Sequence, residues 1–204
     1  MSQPPGTPTL PPEAGRLPEG LREPLEHAWR DFLGACEREG MAPPQEPGLL
    51  AQLVRVWGVS PFVARECARQ PRILAPEGVA RLERPLEPGE LAAGLRGAVG
   101  EGGSEEEFMR RLRLFRQREM VRIAWRDIAG LAPLEETCGD LSDLADAAID
   151  QALQWLAAEM EPGVGRPFDR DGREQSLAVI AMGKLGAREL NFSSDVDLIF
   201  LHSG

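Results

Sequence analysis

Two aspartates separated by one residue, Asp195 and Asp197, sit at the head of the apolar run Asp-Val-Asp-Leu-Ile-Phe-Leu. In an extended segment residues i and i+2 share a face, about 7 Å apart along the chain. Two carboxylates held side by side repel, and each is favoured by protonation or by a shared cation. Their hard oxygens suit Mg²⁺, which commonly takes one or two protein carboxylates together with waters and substrate phosphates. The residues just upstream complement this chemistry. Gly183 and Gly186 allow close backbone approach to a ligand, and a helix opening there turns its N–H groups toward an anion. Ser193 and Ser194 immediately precede the carboxylates and can donate to phosphate oxygens. Taken together, a strand, a glycine turn, a short helix and a strand bearing Asp-x-Asp could move a nucleotidyl group with metal assistance. A lone Asp-x-Asp is also the ordinary look of a solvated strand edge, and Gly-x-x-G alone is less specific still.

These residues need elements to position them. The chain has 204 residues, enough for a sizeable core without disulfides. Ser176–Met182 is almost purely apolar and reads as a buried strand; Asp195–Leu201 reads as a second. Gly183–Phe192 between them has room for a tight turn and about two helical turns. Upstream, apolar spacing predicts helices over 21–40, 48–57, 61–69, 90–99, 105–129 and 141–160. Ser60-Pro61 is an N-cap followed by proline at the first helical position, and Ser104 with Glu107 forms a capping box. Residues 70–87 are broken by prolines into short fragments. The helix over 105–129 carries Arg110, Arg111, Arg113, Arg116, Arg118 and Arg122 on one face, read as solvated and paired with intrahelical Glu. Trp29, Trp57, Trp125 and Trp155 fall on apolar faces and are expected in the core.

The expected fold is therefore mainly α: a helical region followed by the β-α-β opening of an α/β domain. Residues 1–18, with six prolines and few large apolar residues, are expected as a disordered tail. Residues 19–165 are expected as the helical domain. The Gly/Pro-rich stretch over 161–175 places the boundary of the α/β domain at 166, with 166–204 beyond it.

Composition narrows the function. The net charge of −10 argues against a general nucleic-acid binder, because no basic excess exists to release counterions. No apolar stretch is long enough for a membrane span, and the first residues lack a signal-peptide pattern. Cys36, Cys67 and Cys138 have no C-x-x-C spacing and read as free thiols in a reducing cytoplasm. His27 and His202 are too isolated to read as ligands.

Residues 178–201, Ala-Val-Ile-Ala-Met-Gly-Lys-Leu-Gly-Ala-Arg-Glu-Leu-Asn-Phe-Ser-Ser-Asp-Val-Asp-Leu-Ile-Phe-Leu, closely resemble the signature of the bacterial glutamine synthetase adenylyltransferases. The resemblance continues through Leu112–Leu131 and Leu141–Ala147, and more weakly at Ser60-Pro-Phe-Val-Ala-Arg, covering about residues 48–204. That family is bifunctional, with two nucleotidyltransferase-like domains that each carry Asp-x-Asp. The Asn-Phe-Ser-Ser-Asp-x-Asp wording resembles the N-terminal copy, which removes AMP from a tyrosine of glutamine synthetase by phosphorolysis, releasing ADP; the other copy attaches AMP from ATP. The resemblance implies Asp195 and Asp197 as Mg²⁺ ligands and catalytic residues. It implies Gly183, Gly186 and Ser194 as the phosphate-cradling loop, with Ser193 beside it. Lys184, the one lysine among 23 basic residues, lies inside the motif, where it can meet phosphate or serve the structure. Position 187 is Ala where the family commonly has a second glycine.

The resemblance also implies ATP, ADP and inorganic phosphate as substrates or products. Glutamine synthetase and a PII-type nitrogen signal protein are the implied partners, with no nucleic acid and no membrane. Such a domain needs further strands and a third carboxylate. With Gly204 following the second strand, the polypeptide is expected to be the N-terminal piece of the enzyme, inactive alone. The alternative is a non-catalytic helical module that docks glutamine synthetase or the signal protein. A related uridylyltransferase is disfavoured by the Gly-Lys-Leu-Gly and Glu-Leu-Asn-Phe wording.

Overall fold

A computed structural model describes residues 10–202. Eight helices account for most of them: α1 (Glu19–Glu39), α2 (Pro47–Val59), α3 (Pro61–Arg69), α4 (Pro76–Glu83), α5 (Glu90–Val99), α6 (Glu105–Ala129), α7 (Leu134–Val164) and α8 (Gly183–Gly186). Two strands, β1 (Ala178–Ala181) and β2 (Leu198–Leu201), flank α8. The chain is mainly α, as expected.

Local chemistry sets the helix ends. Gly40 closes α1 in the left-handed region at φ 63°, where glycine has no Cβ penalty. Glu46 caps α2, its carboxylate accepting from the Gly48 and Leu49 N–H groups. Ser60 Oγ accepts from Val63 N at 3.3 Å, and Ser104 Oγ accepts from Glu107 N at 3.3 Å, so both predicted caps form. Helix α7 is longer than its expected 141–160. It begins at Leu134, straight after Pro133, with Glu135 and Glu136 in the first turn, where the helix dipole favours acids. Gly139, outside both helices predicted over 105–129 and 141–160, lies inside it.

The contacts divide the chain into two units. One holds the residues up to Pro85 together with Gln117–Pro133; the other holds Leu86–Arg116 and the residues from Leu134 onward. This differs from the expected boundary at 165/166, because α6 contributes its two halves to different cores.

In the first unit, Trp29, Phe32 and Trp57 form an aromatic trio with ring centroids 5.6–6.2 Å apart. Leu53, Val56, Val63, Cys67 and Trp125 are buried in the same cluster. Such aromatic pairs add about 0.5–1.5 kcal/mol each beyond the area they bury. Trp125 Nε1 donates to Gln52 Oε1 at 3.0 Å, so the buried indole keeps a partner. Residues 1–9 lie outside the described residues, but over 10–18 the expected disordered tail is corrected. Pro12–Arg16 form a 3₁₀ turn, with Ala14 buried and Leu10 and Leu17 packed on the core. Leu17 Cδ1 lies 3.5 Å from the Cβ position of Gly58, so two leucines anchor a segment whose proline content suggested none.

A second correction concerns the arginine face. Arg122 was expected in solvent; it is buried, and its Nε donates to Glu119 Oε2 at 3.0 Å. Arg81 and Arg118 meet Glu119 Oε1 at 3.0 and 3.3 Å. Arg126, also buried, donates to the Leu82 and Leu131 carbonyls at 2.9 and 3.2 Å. A buried carboxylate persists only when paired, and here several guanidiniums surround it. The Arg110, Arg113, Arg116 and Arg118 side of α6 is exposed as expected.

In the second unit α5 packs on α7. Leu91, Leu95, Val99, Phe108, Phe115, Leu141 and Leu144 are buried. The Cβ position of Gly94 is 3.4 Å from the Phe115 ring. Phe108 stacks on Trp155 at 4.8 Å; Trp155 is half-buried, unlike the three tryptophans of the other unit. Beyond α7, Asp169 Oδ1 accepts from Asp171 N and Arg173 N, both at 2.9 Å, folding 168–174 into a tight turn.

Strands β1 and β2 pair antiparallel, in register Ala178↔Leu201 to Ala181↔Leu198. The β-α-β order stands, but Ser176–Met182 is not the buried strand expected. Ile180 and Met182 are each 45% exposed, and Ile199, Phe200 and Leu201 are similarly open. A continuous apolar run signals that both faces favour burial; it does not say which segment covers them.

Candidate phosphate and metal site

The glycine turn is built by two different backbone demands. Gly183 adopts φ 56°, a left-handed conformation that other residues enter at a cost of about 1 kcal/mol or more. Gly186 has an ordinary φ, but a Cβ there would lie 2.5 Å from the Ala181 carbonyl oxygen of β1. One glycine is needed for conformation, the other for close approach to the strand. Ala187 sits at φ −84°, right-handed, so this position accepts a side chain without strain.

Helix α8 is one turn, shorter than the two expected. Arg188 takes φ 58° and ends it. The side chain of Arg188 bonds to Asp143 Oδ1 and lies 3.5 Å from Asp146 Oδ2, both on α7. Its hydrogen bond to Asp143, with the charges of both aspartates, holds the guanidinium above its ordinary pKa. Leu185 and Leu190 are buried at either side of this bend. The loop is thus tied to α7 by an ion pair and seated by two leucines.

Asp195 and Asp197 precede β2 and do not lie within it. Met182 N donates to Asp197 O at 2.9 Å, which extends the strand ladder by one bond and fixes the Asp197 backbone beside the glycine turn. Asp197 Oδ2 lies 4.0 Å from the Cβ position of Gly183. Both carboxylates are exposed, as are Lys184 and Ser193, while Ser194 is half-buried. Asp195, Asp197 and Lys184 make no side-chain hydrogen bond or ion pair among the described residues.

The serines are positioned by a residue that the sequence reading passed over. Asn191 Oδ1 accepts from Ser193 N at 3.1 Å, from Ser193 Oγ at 3.1 Å and from Ser194 Oγ at 2.8 Å. Ser194 Oγ in turn accepts from Asn191 N at 3.2 Å. An asparagine two residues before a serine is a turn signal, and Asn-x-Ser-Ser could have been read that way. Arg188 as a left-handed anchor has no comparable signal, since its partners Asp143 and Asp146 lie 45 and 42 residues upstream.

Two unpaired carboxylates offer hard oxygen donors of the kind Mg²⁺ takes when waters and phosphate complete its shell. No group of three or more candidate metal ligands occurs among the described residues, so protein atoms alone do not make a closed cage. No helix among the described residues is long and apolar enough to cross a membrane.

A family model described as glutamate-ammonia ligase adenylyltransferase matches residues 50–204. The chain is 50% identical over 200 residues to the bifunctional glutamine synthetase adenylyltransferase/adenylyl-removing enzyme of Thioalkalivibrio sulfidiphilus, covering 96% of this chain and 20% of that protein. Identity to the same-named protein of Nitrosococcus oceani is 42% over 189 residues, covering 92% and 20%. For that of Pseudomonas aeruginosa it is 43% over 200 residues, covering 93% and 20%. The chain therefore spans about 20% of the length of these relatives.

Proposed function

The chain belongs to the glutamate-ammonia ligase adenylyltransferase family, and on that premise we propose that it is part of an enzyme regulating glutamine synthetase through covalently attached AMP. In this reading residues 183–197 serve the removal reaction. An oxygen of inorganic phosphate attacks the phosphorus of the adenylyl-tyrosine; the bond from that phosphorus to the tyrosine oxygen breaks. The products are ADP and the free tyrosine. ATP belongs to the opposite reaction. Glutamine synthetase is the macromolecular substrate, a PII-type signal protein the regulator, and the cytoplasm the place of action.

The observation that carries this reading is the Asp197 carboxylate lying beside the Gly183 turn, with Asp195 two residues away and both without partners. Asp195 and Asp197 would hold Mg²⁺, which when bound neutralises charge on phosphate oxygens. Gly183 and Gly186 keep side chains away from the approaching phosphate. The Lys184 ammonium remains in solvent and can add a positive charge there. Ser193 and Ser194 can exchange Asn191 for phosphate oxygens without moving the backbone.

Manganese tests the site on this chain directly. Mn²⁺ with phosphate should broaden the amide NMR signals of 183–186 and 193–197, and Asp195→Asn with Asp197→Asn should restore sharp lines. Broadening centred elsewhere, or unchanged in the double variant, would refute the assignment.

A further inference from the structure

The first unit carries a groove far from residues 183–197 in sequence. It lies between α1 and α3, with a volume of about 510 Å³. Its lining along α1 runs from Pro24 to Arg38, about 21 Å by helical rise. Trp57, Ala28, Gly34, Ala64 and Ala68 make an apolar lining of mostly small residues. Over this floor stand four arginines: Arg30, Arg38, Arg65 and Arg69. Against them the groove presents one carboxylate of its own, Asp31, together with His27.

The four guanidiniums are not equivalent. Arg65 and Arg69 lie 3.6 and 3.4 Å from Glu66 Oε1, whose carboxylate is buried, and both remain more than 60% exposed. Arg30 and Arg38 are exposed and have no ion pair or hydrogen bond among the described residues. They are eight residues apart on α1, about 12 Å. In a chain of net charge −10, this face is locally positive. The separation of Arg30 from Arg38 along α1 suits separate carboxylates better than a single phosphate. The apolar lining suits aliphatic side chains between them. Trp57 is only 3% exposed, so no open aromatic face is present for a base to stack on.

We propose that this groove receives an acidic segment of a protein partner. Carboxylates of the segment meet Arg30 and Arg38, with Arg65 and Arg69 on the opposite bank. Its small or aliphatic side chains rest between the arginines on the partly exposed Ala28 and Ala68. Because the contacts are exposed ion pairs over a modest apolar floor, binding weakens with salt.

The test pans a random library of 12-residue peptides on the whole chain, then measures the enriched peptides by fluorescence anisotropy. Acidic sequences with interspersed aliphatic residues are expected to be enriched. Arg30→Glu with Arg38→Glu should weaken their binding at least tenfold, with far-UV circular dichroism and melting temperature unchanged. Arg116→Glu, an exposed change on α6, should leave it within twofold. Replacing each peptide Glu or Asp by its amide should cost at least tenfold. Enrichment without acidic sequences would overturn the proposal. So would binding indifferent to the Arg30/Arg38 reversal, or displacement by a single-stranded oligonucleotide at lower concentration than by free peptide.

Discussion

Asp197 Oδ2 lies 4.0 Å from the point where a Cβ would stand on Gly183, and Gly183 is itself held at φ 56°. The carboxylate and the glycine turn are therefore one arrangement, closed by the Met182 N–H donating to Asp197 O. Gly183→Ala places a methyl group beside the carboxylate and adds backbone strain of about 1 kcal/mol. Gly186→Ala meets the Ala181 carbonyl at 2.5 Å and should cost more, about 1–3 kcal/mol, by forcing α8 off β1. Hydrogen exchange at the Ile180 and Met182 amides, which face β2, reports this: faster in Gly186→Ala than in Gly183→Ala, which is itself above the parent. Equal rates in all three would contradict the steric account.

Glu119 is the most consequential charge in the first unit. Its side chain is 1% exposed and meets Arg81, Arg118 and Arg122. Glu119→Ala leaves Arg122 buried without its carboxylate, and breaking a buried pair from one side costs about 3–5 kcal/mol. Urea unfolding followed by tryptophan emission should show this loss in the first transition that moves. A change below about 1 kcal/mol would mean that solvent reaches the cluster.

The thiols should separate kinetically. Burial pushes the Cys36 and Cys67 thiols up from the ordinary thiol range, and both side chains are buried, whereas Cys138 on α7 is partly exposed. Thiolate is the reactive form. An aromatic disulfide reagent should therefore modify Cys138 first, and Cys36 and Cys67 only as fast as the chain opens. Three equal fast phases would contradict the packing described.

Two carboxylates pull the pH dependence of stability in opposite directions. Glu46 is held below its ordinary 4.5 by the Gly48 and Leu49 N–H groups; its contribution is present above that value and is lost as pH falls through the folded one. Asp146 is held above its ordinary 3.8, chiefly by burial, with Asp143 and Asp150 adding and Arg188 opposing. The folded chain binds this proton more tightly than the unfolded chain. Stability from Asp146 is therefore full at low pH and falls as pH rises from 3.8 through the folded value. Urea midpoints from about pH 3 to about pH 7 check both signs. Glu46→Gln should flatten the acid-side loss, and Asp146→Asn should remove the fall. The reverse pattern would contradict these environments.

Much of this was legible in residue order because the signals were local. Ser60 and Ser104 mark helix starts through bonds that span one turn, and both side chains accept from the backbone N–H three residues on. The arginines of α6 show where local reading stops. Periodicity puts Arg122 on the same face as Arg118, yet Arg122 is buried and Arg118 exposed; Glu119, three residues before Arg122 on α6, also pairs with Arg81 of α4, a contact that residue order does not announce. The apolar run at Ser176–Met182 likewise announced a strand but not its antiparallel pairing or its open faces. At the candidate site the sequence supplied Gly183, Gly186, Asp195 and Asp197. It did not supply Asn191, whose role rests on side-chain geometry, or Arg188, whose partners are on α7.

In the proposed function Asp195 and Asp197 hold the cation that accompanies phosphate during AMP removal. Its most direct test is Asp197→Asn in a polypeptide of the relatives' full length that carries this chain. The substrate is adenylylated glutamine synthetase with inorganic phosphate, and the readout is ADP release. The account predicts a loss of at least about 10²-fold, the scale of removing one electrostatic stabiliser, with ATP-dependent attachment of AMP kept within about twofold. ADP release at the parent rate in that variant would contradict it.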